Sequence, residues 1–542
     1  MGDAYALVLH SHLPYCRGAG LWPHGEEWIH EAILGTYLPL LVTLHDLRAD
    51  RVPFQLTIGI TPILLEQLAD PDIVARSLAY IDDQIARAEF DEGDLASAGA
   101  RERAGLAAFY GARYRMLRDA YVGRFRRDLV GAFADLQRSG HVELLTSAAT
   151  HGYLPLLDEP SVHAQLENGL RSSERLLGFR PRGIWLPECA YAPGLERALE
   201  AHGLTHFFTD GNLISGAEVS TATRLPAWEE RPSGGGTARR IPVVLESGLE
   251  ADVFTPYLVA DSGVAAVARH GDVSGQVWSA ASGYPGDPAY REFHRKDDRT
   301  GLRYWSVTAT TVGLGNKDDY DVDRARERVR THAAHFAGVV RESLADHRRR
   351  TGTSGLLTTT FDSELFGHWW FEGIEWLGLV LRELASGTTT VERHLTADPP
   401  RERVTLREGS WGKNNDHSTW LSDHTRWMWD ELARLAAEVE PIRKLPPSDP
   451  LRARAARQAV RELLLTQSSD WPFLVDTGQA GDYAVERFVG HAKRMRSALE
   501  IARHGGNADE QELIAMEGAD NPFPDASLDT FAPPANVLGV LS

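Results

Sequence analysis

The chain is poor in cysteine and in positive charge. Its 542 residues include only two cysteines, Cys16 and Cys189, which are too few for a disulfide framework or a cysteine-rich zinc site. Lys and Arg number 57 against 76 Asp and Glu, giving a net charge of −19. This balance disfavours binding to nucleic acid or to an anionic membrane surface, but it is compatible with a neutral ligand such as a sugar polymer.

Targeting and membrane signals are also missing from the sequence. The N-terminus lacks the basic region and apolar stretch of a signal peptide, and Ala6 breaks the myristoylation pattern. No apolar run approaches the ~20 residues that a membrane-spanning helix needs. We therefore expect a cytoplasmic protein with no membrane partner.

Short β-like runs alternate with helical stretches over the first 400 residues, which predicts parallel βα units. A polar residue follows each of six runs, and parallel barrels place their chemistry at the carboxyl ends of the strands. The predicted strands are Ala4–Leu9, Phe54–Ile60, Val142–Leu145, Gly183–Leu186, His206–Thr209 and Leu356–Phe361.

The length predicts two or three packed units. Residues 63–140 form a helical stretch too long for a plain crossover, so we predict an insertion in a catalytic unit of residues 1–62 and 141–400. Residues 212–300 are predicted to be irregular, and β runs cease after about residue 400. We predict a helical C-terminal domain at 401–520, then a tail at 521–542 that is draped over the protein or disordered.

Two carboxylates follow predicted strands among aromatic residues. They are Glu188, within 183–191, and Asp362, within 358–370. Cleavage of a glycosidic bond with retention needs such a pair, one as nucleophile and one as acid/base, and apolar neighbours would keep the acid protonated. The alternative is that each carboxylate only caps the helix that follows it.

Histidines after the first and third strands raise metal chemistry as a competing hypothesis. His10 and His12 share one face of a strand, and with His151 and Asp362 they could form a catalytic metal site like that of an amidohydrolase. The alternative is that these histidines hydrogen-bond sugar hydroxyls or the two carboxylates. The sequence has no zinc-binding His-Glu-x-x-His helix, Walker phosphate loop or Gly-x-Ser-x-Gly elbow.

Aromatic residues in turn-like surroundings form a third group. A buried tryptophan is more often a core residue than a ligand platform, but the Gly, Asn and Asp neighbours of these residues favour a ligand cleft for some of them. The group comprises Trp278, Trp369, Trp370, Trp411, Trp420 and the pair Asp470-Trp471.

These segments together resemble glycoside hydrolase family 57, in particular its α-glucan branching-enzyme group. The resemblance covers nearly the whole chain and includes several separated motifs. They are Leu-His-Ser-His-Leu-Pro-Tyr (9–15), Gly-Glu-Glu-Trp (25–28), Thr-His-Gly (150–152), Trp-Leu-Pro-Glu-Cys-Ala-Tyr (185–191), Gln-Val-Trp-Ser (276–279), Gly-Tyr-Pro-Gly (283–286), Phe-Asp-Ser-Glu-Leu-Phe-Gly-His-Trp-Trp (361–370), Ser-Trp-Gly (410–412) and Ser-Ser-Asp-Trp-Pro-Phe (468–473).

The resemblance implies an α/β fold: an incomplete (β/α)7 barrel with an inserted helical domain and a helical C-terminal domain. It implies Glu188 as nucleophile and Asp362 as general acid/base, with no metal and no cofactor. The predicted glucan-binding residues are His10, His12, Trp28, His151, Asp210, Trp278, His368, Trp369, Trp370, Trp411, Trp420, Asp470 and Trp471.

The predicted function is therefore a 1,4-α-glucan branching enzyme, with α-glucan as its partner. The family's branching enzymes carry a tyrosine at the tip of a flexible loop, whereas the corresponding residues 223–240 contain none. Trp228 is a candidate substitute, and Tyr257 is the only tyrosine nearby. The alternatives are an α-glucan hydrolase or 4-α-glucanotransferase, a metal-dependent amidohydrolase or deacetylase, and a non-catalytic glucan-binding protein.

Overall fold

A computed structural model describes residues 2–21, 24–222, 244–279, 282–309, 311–444, 449–506 and 509–534. In this part of the chain, eleven strands form a single sheet. They are β1 (Ala4–Ser11), β2 (Leu56–Ile60), β3 (Val142–Ser147), β4 (Gly183–Trp185), β5 (His206–Thr209), β6 (Glu218–Ala222), β7 (Val244–Glu250), β8 (Tyr257–Val259), β9 (Ala265–Ala268), β10 (Leu356–Asp362) and β11 (Glu402–Val404).

The centre of the sheet is a parallel run of seven strands in the order β10-β1-β2-β3-β4-β5-β9. Beyond β9, the sheet continues as β8, β11, β6 and β7 with mostly antiparallel pairing. Among the described strands the sheet is not closed, so the fold is a mixed α/β architecture with an open sheet. Because the seven strands run the same way, their carboxyl ends meet at one edge, and His10 on β1 lies opposite Asp362 on β10.

The six predicted strands are confirmed, each with ends within two residues of the prediction. Strands β2 and β3 are buried at every residue, as expected for parallel strands covered on both faces. The prediction of irregular structure at 212–300 was wrong, because β6 to β9 lie there, and β11 follows residue 400. Most of these missed strands have only three to five residues, which is too short for a reliable periodic signal.

The helices connect and cover the strands. They are α1 (Glu27–Ala32), α2 (Leu38–Ala49), α3 (Pro62–Ala69), α4 (Pro71–Ser97), α5 (Arg101–Asp119), α6 (Leu129–Arg138), α7 (Glu159–Leu177), α8 (Leu195–Ala201), α9 (Gly211–Ile214), α10 (Gly271–Trp278), α11 (Val322–Thr351), α12 (Gly373–Glu383), α13 (Val391–Ala397), α14 (Arg426–Lys444), α15 (Pro450–Thr466), α16 (Asp470–Thr477), α17 (Tyr483–His504) and α18 (Glu510–Ala519).

Helices α3 to α6 occupy the predicted insertion, and α14 to α18 occupy most of the predicted C-terminal domain. The C-terminal helices share an apolar core that reaches the sheet unit through Tyr15 and Ala149. In the tail, Phe523 and Phe531 are buried in the same core, so residues 521–534 are draped over the protein. No helix among the residues described combines the length and apolar character that a membrane crossing requires.

Candidate active site

Glu188 lies in a tight turn just after β4. Its backbone has φ of 62°, a left-handed conformation that a glutamate rarely adopts and that is typical of functional sites. The indole N–H of Trp411 donates a hydrogen bond to Glu188 Oε2 at 2.9 Å, and the Ser469 hydroxyl donates to Oε1 at 3.2 Å. Burial raises the pKa of Glu188 to about 7, and the Trp411 hydrogen bond opposes that rise. The two donors stabilise the ionised carboxylate.

Asp362 lies at the end of β10 in a contrasting environment. Its side chain makes no helix-capping hydrogen bond, and within the described residues no donor reaches it. Burial raises the pKa of Asp362 well above its ordinary value, and the charges of Glu364 and Glu188 raise it further. The site therefore contains one carboxyl group held by donors and a second that favours its protonated form, the division needed for nucleophilic and acid chemistry.

A histidine cluster adjoins the two carboxyls. His10 Nε2 lies 3.1 Å from His151 Nε2, and His12 Nε2 lies 2.9 Å from Asp470 Oδ2. His151 Nδ1 lies 2.9 Å from the Ser469 hydroxyl, which also reaches Glu188. Burial lowers the pKa of His10 and of His151 well below the ordinary value. These two rings are therefore neutral, and each can both donate and accept a hydrogen bond.

The structure brings together a different group of possible metal ligands from the one predicted from the sequence. The ligand atoms of His12, His151 and Asp470 lie within 4.8 Å of one another, whereas His10 and Asp362 do not belong to this group. Two histidines and one carboxylate are a set that zinc can use. However, Oδ2 of Asp470 already accepts hydrogen bonds from His12 and Ser468, so this carboxylate is satisfied without an ion.

Asp210, Trp278 and Trp411 lie around the same strand ends. Asp210 caps α9 through the Asn212 N–H at 3.0 Å and forms an ion pair with Arg269. The Arg269 guanidinium lies 5.9 Å from the centre of the Trp411 ring. Trp278 meets Trp411 edge to face at 6.0 Å and donates its indole N–H to the Thr360 carbonyl oxygen. The rings of Trp278 and Trp411 form an aromatic wall beside the two carboxyl groups.

The remaining predicted site residues occupy different environments. Trp28 packs against Tyr483 at 5.3 Å, Trp369 is 42% exposed, and burial lowers the pKa of His368 to about 4. In contrast, Trp370, Trp420 and Trp471 are core residues with at most 2% exposure.

The predicted glucan contact of these three tryptophans stays a prediction, and in this structure their rings pack inside the protein. Trp370 packs on Trp376 at 5.4 Å, Trp420 on Tyr153 at 4.7 Å, and Trp471 donates its N–H to a backbone carbonyl. Tyr257 is also buried, and its hydroxyl accepts a hydrogen bond from the Asp252 N–H. Residues 223–240, including Trp228, lie outside the described residues.

Four residues that were not predicted contribute to the site. Ser469 bridges His151 and Glu188, Arg269 holds Asp210, and Trp185 stacks on His10 at 4.6 Å. Glu364 accepts hydrogen bonds from the His12 N–H and the Tyr37 hydroxyl, and its charge acts on Asp362. Ser469, Glu364 and Trp185 lie one, two and three residues from a predicted site residue, which is a weak signal, while Arg269 had none.

Comparison with known proteins places the chain among carbohydrate-active enzymes. Residues 6–407 match the profile of glycosyl hydrolase family 57, and residues 432–531 match that of the C-terminal part of 1,4-alpha-glucan branching enzyme. The chain is 40% identical to the 1,4-alpha-glucan branching enzyme of Thermococcus kodakarensis, over 95% of this chain and 77% of that protein. It is 34% identical to a probable 1,4-alpha-glucan branching enzyme of Mycobacterium tuberculosis, over 94% of each.

Solved structures agree with the sequence matches. The crystal structure of a GH57-type branching enzyme from Pyrococcus horikoshii has a TM-score of 0.86 at 35% identity, covering 98% of both chains. The alpha-amylase AmyC from Thermotoga maritima has a TM-score of 0.83 at 29% identity, covering 99% of this chain and all of that one. On the strength of these matches, which span most of its length, the chain belongs to glycosyl hydrolase family 57.

Proposed function

We propose that this protein is a 1,4-α-glucan branching enzyme that works with retention through Glu188 and Asp362. The observation that carries the proposal is the contrast between these two carboxyl groups. Glu188 accepts hydrogen bonds from Trp411 and Ser469, whereas Asp362 is buried beside the acidic side chains of Glu364 and Glu188. The branching enzymes among its relatives and the match of its C-terminal helices support the same assignment.

The reaction has two steps. In the first, the Glu188 carboxylate attacks the anomeric carbon of an α-1,4-linked glucose, while Asp362 donates its proton to the departing 4-oxygen. In the second, the Asp362 carboxylate removes the proton of an acceptor's 6-hydroxyl, which attacks the anomeric carbon and releases Glu188. One α-1,4 bond is broken and one α-1,6 bond is formed, and both residues return to their starting states.

The neighbouring side chains would bind the reacting glucose and the chains on either side of it. His10, His12, His151 and Asp210 offer hydrogen bonds at the carboxyl ends of the strands, and Asp470 orients His12 at 2.9 Å. A wall of aromatic rings suits the apolar faces of glucose units, and we assign this role to Trp28, Trp278, Trp369 and Trp411. His368 would bind glucan beside Trp369.

We also propose a more specific architecture than a mixed α/β fold with an open sheet. We infer that the seven parallel strands form an incomplete (β/α)7 barrel at 1–62 and 141–400, with an inserted domain at 63–140 and a helical domain at 401–520. The substrate would be a cytoplasmic α-glucan. No metal or cofactor takes part in the proposed mechanism, since the Glu188–Asp362 pair supplies both the nucleophile and the proton.

Hydrolysis of α-glucan is the second candidate, because AmyC, an alpha-amylase, matches the whole chain and residues 223–240 lack a tyrosine. The two functions differ in whether an acceptor hydroxyl or water attacks the glycosyl-enzyme. Purified protein incubated with amylose distinguishes them by two signals, new 1,6-linkages and released reducing ends.

Branching predicts new 1,6-linkages with few reducing ends, and a Glu188→Gln variant should produce neither. Reducing ends without 1,6-linkages would establish a hydrolase. A redistribution of chain lengths without either signal would indicate a 4-α-glucanotransferase.

A further inference from the structure

A cavity of about 600 Å³ lies between the inserted helices and the segment that follows Asp362. This volume is typical of small-molecule sites. Its walls include helix α1 and the residues on either side of it, helices α4 and α5, residues 291–303 and residues 367–371. His368, six residues after Asp362, is part of the wall, so the cavity borders the catalytic segment.

Three arginines that form no ion pair with a described residue line this cavity. They are Arg113 on α5 and Arg291 and Arg303 on the long connection before α11. In the described part of the chain, no carboxylate oxygen lies within 4 Å of any of these guanidinium groups. The cavity's other basic side chains differ, since Arg87 pairs with Asp83, Lys296 with Glu31 and Arg299 with Asp94. Six basic side chains line the cavity against five acidic ones, so the lining has one more positive charge than negative charges. The acidic ones are Glu27, Glu31, Asp83, Asp297 and Asp298.

Two of these arginines also have buried donors without acceptors. Nε of Arg291, a residue that is only 9% exposed, has no hydrogen-bond partner, and neither does one terminal nitrogen of Arg303. Phe371 stabilises the charges in part, since its ring centre lies 3.9 Å from the Arg291 guanidinium and 5.0 Å from that of Arg113. Cation–π contact does not satisfy an N–H donor in the guanidinium plane, and an unpaired buried charge is costly.

We propose that this cavity binds the oxyanion group of a small hydroxyl-bearing molecule, such as a sugar phosphate or a sugar acid. Guanidinium groups recognise phosphate and carboxylate by paired charge-assisted hydrogen bonds. Polar side chains beside the arginines, including Tyr80, Gln84 and Tyr114, can meet hydroxyl groups of the same molecule. The site is distinct from the Glu188–Asp362 pair and does not depend on the proposed branching reaction.

Calorimetric titration of the full chain tests this proposal with four probes: inorganic phosphate, glucose 6-phosphate, glucuronate and glucose. The variants are Arg113→Met and Arg303→Met. The control is Arg115→Met, since Arg115 lies on the same helix but pairs with Glu89 outside the cavity. Loss of one charged contact should weaken anion binding by about tenfold or more.

We expect at least one anionic probe to bind the wild-type and Arg115→Met proteins equally and both cavity variants more weakly. Binding of phosphate and glucose 6-phosphate would identify a phosphate site, and binding of glucuronate alone a carboxylate site. The bound anion should also raise the unfolding temperature, because it binds only the folded state. The proposal is overturned if no anion binds at millimolar concentration, or if affinity is unchanged in whichever cavity variant folds.

Discussion

Trp411 holds Glu188 at two points. Its indole N–H donates to Glu188 Oε2 at 2.9 Å, and its backbone N–H donates to the Glu188 carbonyl oxygen at 3.1 Å. The residues are 223 positions apart, so the loop after β11 fixes both the strained turn after β4 and the direction of its carboxylate. This contact joins the sheet unit to the C-terminal part of the chain at the reacting atoms.

Trp411→Phe should raise the pKa of Glu188, because it removes a donor to the ionised carboxylate but keeps an aromatic ring. The acidic limb of the kcat/KM profile, which reports this group near pH 7, should then move to higher pH. A pH series on amylose measures the shift. Trp278→Phe is the matched control, since its N–H donates to a backbone carbonyl. An unmoved limb in Trp411→Phe would argue against Glu188 as the titrating group.

Glu364→Gln should lower the pKa of Asp362, because the charge of Glu364 is the largest electrostatic contribution to its rise. The alkaline limb of the kcat profile should move to lower pH, while the amide oxygen still accepts from the His12 N–H. Glu372→Gln is the control, because Glu372 is also buried and also accepts a hydrogen bond from a tyrosine hydroxyl, in this case that of Tyr320. Equal shifts in both variants would contradict a specific effect on Asp362.

Glu188→Gln and Asp362→Asn should each remove nearly all turnover. Loss of a positioned acid or base costs roughly 10²–10⁴-fold, and loss of the nucleophile more. Initial rates with amylose, on variants whose circular dichroism matches the wild type, provide the measurement. Near-normal turnover by Glu188→Gln would refute the proposed mechanism.

The same Glu188→Gln change should stabilise the fold at high pH. Burial raises the pKa of Glu188 above its unfolded value, to about 7, so the wild type loses stability as pH rises from the unfolded pKa through 7. Unfolding temperatures should be higher for the variant at about pH 8, and the gain should shrink toward about pH 5, where the native carboxyl is already protonated. A variant less stable at both pH values would show that the hydrogen bonds from Trp411 and Ser469 to the carboxylate stabilise the fold more than burial of its charge destabilises it.

Chelation should leave activity unchanged. The His12, His151 and Asp470 atoms could hold a metal ion, but the proposed mechanism needs none. We expect equal rates before and after treatment with a chelator, and no stoichiometric metal by elemental analysis. Stoichiometric zinc, with activity lost on its removal and regained on its return, would support the metal-dependent alternative instead.

The sequence by itself determined the parallel strands and the candidate carboxyls. Ala4–Ser11 begins with six apolar or aromatic residues, and Leu356–Asp362 combines apolar residues with three β-branched threonines. Both segments end in polar residues, and their local composition alone predicts buried strands. The family resemblance likewise depended on separated sequence motifs, which can be recognised without a structure. Short strands such as Glu402–Val404 gave no such signal, because three residues define no period.

Only the tertiary structure decided which side chains meet. Trp411 and Trp420 share one motif, yet the first donates to Glu188 and the second is buried against Tyr153. Nothing in the sequence distinguishes the pairing of Arg269 from that of Arg291. Arg269 forms an ion pair with Asp210, whereas Arg291 lines a cavity and forms no ion pair with a described residue. Burial, ion pairing and pKa shifts arise from contacts between distant segments, and these depend on the packed fold rather than on neighbours along the chain.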